Sequence, residues 1–429
     1  MKTLEWAVVL SIGTLSAAAA AESVGPAAEV APNVQETRQQ MWPRAAWSKG
    51  AKSWLVAWRE GCINEGETDI FCARVSADGK ALDPAGILVA RAKDRQERPG
   101  VASDGKGFLV VWEDFRNGKD YDVYAARVSV DGKVLDEGGF PVATGAHNQC
   151  RPVVAFAGGS YYVAWQAFRG DGVPGNPGTG YVLYGARVSP AGKVLDPGGV
   201  LVTDASGKAH ADNAVAAAMN GRVLVGHLIA SHNGTACILV YAGIASVDAA
   251  SGRSAGKPHV MGPSKNISMY PGFPVDQHRL PALAMGKRGG LFAAPNRMLG
   301  LYLWRLDANG KETGPPQMVV GAKGLGLVPL FTLAFDGEKY LLTLDQPVRR
   351  GREGVQVKVF GYYLEADGKL PGDRIKDLPK TFFVIAGDGD KDQMQGFAAA
   401  GPKGACLVAY VEVRGVDDCK VLARVVRAK

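Results

Sequence analysis

The sequence predicts an all-β chain: a seven-bladed β-propeller of four-stranded antiparallel blades, closed by its N-terminal strand. Three observations predict it. A blade-sized unit recurs, most plainly at 54–89, 99–143 and 152–202. Glycine (56) and proline (24) together make 80 of 429 residues, which suits many turns and short strands more than long helices. The last copy of the unit stops one strand short, and the chain's beginning holds a segment that can supply it.

Within 99–143 the elements follow in order. The first strand surrounds Gly100–Ala102, and Asp104-Gly105 turns the chain. Phe108–Trp112, rich in Val and aromatics, is the second strand. Asp122–Ser129 is the third. Asp131-Gly132-Lys133 makes a tight hairpin turn, where glycine tolerates a positive φ. Phe140–Ala143 is the fourth. First strands start near Pro43, Pro99, Pro152, Asn213, Pro281, Pro329 and Gly396, which gives seven blades over Pro43–Lys429.

Third-strand positions Phe71, Tyr124, Tyr184, Tyr241, Tyr302 and Phe360 align with one another and read as packing between blades. Arg74, Arg127, Arg187, Arg305 and Arg424 also align, with stems that cover apolar sheet and heads that pair with acids. The seventh unit ends after its third strand. Ala28–Val34 leads into Gln40-Met41-Trp42-Pro43 as Ile87–Ala90 leads into Gln96-Glu97-Arg98-Pro99. The segment is therefore expected to pair antiparallel with Cys419–Val426 and remove an open sheet edge.

Residues 1–21 read as a signal peptide. Lys2, the short apolar stretch Trp6–Leu15 and the small residues Ala17–Ala21 predict cleavage before Glu22. The remainder, 22–429, is expected to be a single secreted or periplasmic domain and a monomer. No apolar run of about 20 residues lies in the body, so no transmembrane segment is expected. The formal charge of +7 is spread along the chain, and nucleic acid is not an expected partner. Six cysteines allow fifteen full pairings; Cys62–Cys419 is the expected bridge and Cys62–Cys72 its local competitor.

The elements Trp112-Glu113-Asp114-Phe115-Arg116, Asp122-Val123-Tyr124-Ala125-Ala126-Arg127-Val128 and Asp131-Gly132-Lys133-Val134-Leu135-Asp136 carry a resemblance. The repeat is similar to those of secreted bacterial β-propeller proteins, many of them uncharacterised. The resemblance covers Pro43–Lys429 and implies fold only, because propellers host binding, scaffolding and many chemistries.

No GxSxG, HExxH, Walker or CxxC motif occurs, and the six histidines show no ligand spacing. No catalytic residue, metal or cofactor is therefore assigned. Asp388, Asp390 and Asp392 read as a solvated acidic turn, since Gln393 and Ala399 stand where a calcium loop needs Gly and Glu. His227 falls at the position of Trp112 and reads as a core or rim substitution.

The loops between second and third strands share a face with the links between blades. That face carries the candidate ligand-binding residues: Glu60, Asp114, Arg116, Arg169, Glu412 and Arg414 from the loops, and Arg95, Arg98, His147 and Arg151 from the links. Two readings compete. Carboxylates opposed across the channel would suit a carbohydrate-active hydrolase or lyase. Alternatively, Asp114–Arg116 and Glu412–Arg414 are repeated ion pairs that stitch neighbouring blades, since a catalytic residue is needed once. The second is preferred. The expected function is a non-enzymatic binding or scaffold propeller for a glycan or protein ligand; the alternative is the hydrolase or lyase.

Overall fold

The computed structural model describes residues 22–32, 39–61, 66–168, 181–203, 209–232, 237–261, 281–296, 300–321, 330–349, 355–369, 382–387, 390–402, 404–415 and 417–428. Among these there is no helix; every element is a strand. Seven antiparallel sheets follow one another along the chain.

Blade 1 holds Gln40–Ser48, Ser53–Glu60, Asp69–Ser76 and Ile87–Ala90. Blade 2 holds Gln96–Ser103, Gly107–Asp114, Asp122–Ser129 and Phe140–Ala143. Blade 3 holds Gln149–Ala157, Ser160–Phe168, Tyr181–Val188 and Val200–Thr203. Blades 4, 5 and 6 begin with Ala209–Met219, Ala282–Met285 and Phe331–Phe335. Blade 7 holds Asp392–Ala400, Ala405–Val413 and Cys419–Ala428.

The core consists of layers between blades. Trp112 packs with Leu55, Ile70 and Cys72 of blade 1, and Trp165 with Leu109 and Val123 of blade 2. Trp58 closes the circle by packing with Leu407, Val411 and Val421 of blade 7. Second strands have a neighbouring blade on both faces, so Ser53–Glu60 is buried at every residue. That is why these strands read as continuous apolar runs and not as alternating ones. The aligned third-strand aromatics stack on the tryptophans: Trp58 on Phe71, Trp112 on Tyr124 and Trp165 on Tyr184, with centroids 6.2, 6.3 and 6.3 Å apart. Gly139 and Gly199 make room for this. Both have positive φ, and a Cβ on either would sit 2.3 and 2.6 Å from the Trp112 and Trp165 rings.

The repeated Asp of the turn has a defined partner. Arg127 Nε and Nη2 donate to both oxygens of Asp136 at 2.8 and 2.7 Å, and the Arg127 amide adds a third bond. Arg74–Asp83 and Arg187–Asp196 repeat it. Arg74 also donates to the Val130 carbonyl of the next blade.

The ends of the chain meet in blade 7. Glu22–Val24 pairs antiparallel with Val426–Ala428, and Ala28–Glu29 with Leu422–Ala423. The closing strand thus begins before Ala28, with a break after Val24; Val34 lies outside the described residues. Two other expectations shift. In blades 1, 2 and 3 the first strands begin three residues earlier than the prolines suggest, at Gln40, Gln96 and Gln149, and each carries the proline within a β-bulge. In blade 4 the residue facing His227 is Gly243, not Tyr241, so Tyr241 is two places out of the aromatic column. Cys72 and Cys419 are buried, and Cys62, their partner in both expected bridges, lies outside the described residues.

Candidate functional site

First strands of all seven blades line a cavity of about 190 Å3 on the ring axis. Most of its wall is apolar: Val101, Val154, Leu283, Phe331, Leu333 and Phe397. Its polar side chains are Arg44, Arg98, Arg151, Thr332 and Gln395, with Trp42 beside them. No carboxylate lines it among the described residues.

The bulges aim these side chains. Trp42, Arg98, Arg151 and Gln395 occupy equivalent bulge positions, with φ of 60, 51, 52 and 58°. A non-glycine residue in that left-handed region costs on the order of 1 kcal/mol, so something must hold it there. The preceding blade does so at three of the four. The Trp42 amide donates to Gln395 Oε1 at 2.8 Å. The Arg151 amide donates to Glu113 Oε2 at 2.8 Å. The amides of Gln395 and Gly396 donate to Asp345, the latter at 3.0 Å. Arg98 is held from its side chain, with Nε 3.1 Å from Glu113 Oε1 and its guanidinium 5.3 Å over the Trp42 ring. Contacts therefore run without a gap from Asp345 in blade 6, through Gln395, Trp42, Arg98 and Glu113, to Arg151 in blade 3.

Burial sets the electrostatics of this belt. It pushes the Asp345 carboxyl up to about 7, although the Gly396 and Gln395 amides pull it back. It pushes Glu113 up as well, against the pull of Arg98. It lowers Arg44 to about 10, and the neighbouring charge of Arg98 adds to that effect.

The candidate residues divide into two groups. Arg98 and Arg151 line the cavity. The acids do not converge on it. Asp114 accepts Trp112 Nε1 at 2.7 Å and is gripped through both oxygens by Arg116, at 2.8 and 2.6 Å. Arg116 also lies 4.0 Å over the Tyr124 ring. Glu60 accepts Trp58 Nε1 at 2.7 Å. Glu412 accepts from Arg414 and Gln393, both at 3.0 Å; burial pushes it up, and those bonds hold it below the usual range. Arg414 reaches on to Glu29 of the closing strand. These pairs brace single blades and do not stitch neighbours. Among the described residues Arg59–Glu97, at 3.6 Å, joins blades 1 and 2, and His259 lies 3.6 Å from Glu312 across blades 4 and 5. Arg95 is half-buried beside Tyr121 and away from the cavity. His147 is exposed, edge-on to Phe168. Arg169 lies outside the described residues. No group of three or more His, Cys, Asp or Glu side chains converges among the described residues.

Sequence reasoning missed Arg44, Trp42 and Gln395. Arg44 had a signal: it takes the place that Gly100, Val153 and Phe397 hold in other blades, a lone charge in an apolar column.

No family model and no curated protein matches the chain. Solved structures do. A Dyadobacter fermentans protein of unknown function shares 12% identity over 96% of this chain and 100% of its own, with a TM-score of 0.51. A Trypanosoma rangeli sialidase shares 9% over 82% of this chain and 56% of its own (TM-score 0.47). A Xanthomonas citri enzyme complexed with xylose shares 12% over 81% and 93% (TM-score 0.41). At these identities the likeness is one of fold.

Proposed function

We propose that the chain is an exported, non-enzymatic binding propeller whose glycan or protein ligand docks on the loop-bearing face, around the mouth of the channel cavity. One observation carries the reading: the cavity is walled by arginines and apolar groups, while the face's described acids are tied up elsewhere. Asp114 and Glu412 each hold an arginine, and Glu60 holds an indole N–H. A glycosidic mechanism needs two carboxyl groups roughly 5–10 Å apart with the substrate between them. The bulges spend strain on aiming Trp42, Arg98, Arg151 and Gln395 at the axis, and such strain gathers where ligands bind.

The test is a glycan array and a protein-capture screen on residues 22–429, with hydrolysis and lyase assays run in parallel. Binding without turnover is expected. Turnover that disappears in Asp114→Asn or Glu412→Gln would overturn the reading in favour of the enzyme. Export is checked separately: N-terminal sequencing of protein recovered outside the cytoplasm should begin at Glu22, and a retained Met1 would refute it.

A further inference from the structure

We infer that the channel cavity is a site for an organic carboxylate with an apolar body, bound by Arg44 with Arg98 beside it. The inference goes beyond the binding reading above: it concerns a small ligand inside the cavity, beneath the face on which the glycan or protein docks.

Arg44 is the reason. Its guanidinium donates to the Pro43 carbonyl oxygen at 2.9 Å and lies 4.9 Å over the Phe397 ring. No carboxylate pairs with it among the described residues, whereas Arg98 has Glu113. A half-buried cation without a counter-charge is costly, and the cost grows beside a second cation. Nothing in the fold requires it, since blades 2, 3 and 7 place Gly100, Val153 and Phe397 at the same step. An incoming anion would relieve both the desolvation and the repulsion. The planar guanidinium fork matches a carboxylate through two parallel N–H bonds.

The rest of the wall selects the body of the ligand. Val101, Val154, Leu283, Phe331 and Leu333 offer no hydrogen bonds. Against that part of the wall the hydroxyls of a sugar ring would lose water unmatched, while an apolar ring gains by burial. A cavity of about 150 Å3 holds benzene, so 190 Å3 takes one six-membered ring and its acid group.

The experiment is calorimetry and thermal melting of residues 22–429 with four probes: cyclohexanecarboxylate, cyclohexanecarboxamide, glucuronate and inorganic phosphate. Only the first should bind and raise the melting temperature with concentration. Arg44→Gln should weaken that binding about tenfold or more, the usual loss for a charge-assisted bond. Without ligand, the same variant and Arg44→Met should both melt higher than the parent, because the unpaired cation is gone. Equal binding of the carboxamide overturns the inference, as does tighter binding of glucuronate or phosphate. A response that survives in Arg44→Gln overturns it too, as does a lower melting temperature in both ligand-free variants. If a glycan or protein binds while no carboxylate does, this inference fails and the binding reading stands. If nothing binds, both fail.

Discussion

Blades 1, 2, 3 and 7 differ from blades 4, 5 and 6 at the same structural positions. In the first group the bulge carries Trp42, Arg98, Arg151 or Gln395, and the second strand of blades 1–3 carries Trp58, Trp112 or Trp165 near its end. In the second group the cavity wall is built from residues such as Ala214, Pro281 and Leu330, and the tryptophan position holds His227 in blade 4 and Leu344 in blade 6. Both groups form blades of the same topology. The fold thus depends on apolar layers that either group can supply. The polar belt is an addition confined to one side of the ring, and it gives the axis a direction.

The largest test of this division concerns the join between blades 7 and 1. Removing 22–32 exposes the edge of Cys419–Ala428 and should lower the melting temperature by roughly 5–10 °C and promote association, read by calorimetry and light scattering. An unchanged, monomeric truncation would show that closure contributes nothing. Next comes the tryptophan column. Trp112→Ala should cost about 3–5 kcal/mol in denaturant unfolding. His227→Leu, at the equivalent place in blade 4, should be neutral or stabilising by about 1 kcal/mol, because its buried Nε2 has no partner. Equal losses at the two sites would erase the distinction between the groups.

A smaller effect tests the belt's far end. The raised Asp345 carboxyl holds its proton in the folded chain up to about pH 7, while the unfolded chain releases it near the ordinary value of 3.8. The folded state therefore binds more protons between these values. The contribution is fully present below about pH 4 and lost as pH rises through 7. Melting temperature should fall from pH 5 to pH 8 by a margin that Asp345→Asn removes. A variant with the parent's pH profile would refute the assignment. The smallest expected effect is Arg127→Lys, which keeps the charge and loses the two-pronged grip on Asp136. A cost of about 1 kcal/mol is expected by chemical denaturation. A cost above that of Trp112→Ala would mean that the turn, and not the tryptophan column, dominates the stability of blade 2.

Much of the fold was legible because repetition lets weak local signals reinforce one another. The Asp-Gly-Lys turns, the Trp and Tyr columns and the missing last strand each pointed to a ring. The site was less legible, for a geometric reason. A bulge adds one residue, and one residue of shift sends every later side chain to the opposite face. Whether Arg44 faces the axis or a neighbouring blade turns on that single step, which Gln40-Met41-Trp42-Pro43 does not announce. Asp114 and Glu412 stood in the right loops, but their partners are on the same blade, Arg116 two residues on and Arg414 likewise. Tyr241 was misplaced because the third strand of blade 4, Cys237–Asp248, pairs Tyr241 with Ile229 and sets Gly243 opposite His227.

The pairing of Glu22–Val24 with Val426–Ala428 also orders events in time. A chain that emerges N-terminus first delivers its closing strand at the start and the strand it must pair with at the very end. Blades 1 to 6 can each form from local hairpins as they emerge, but the seventh waits for the last residues. Bringing such distant partners together carries the chain's largest loop-closure entropy. Closure therefore follows the blades that it joins, and until it occurs, the edge of blade 7 and one face of blade 1 stay open to other chains.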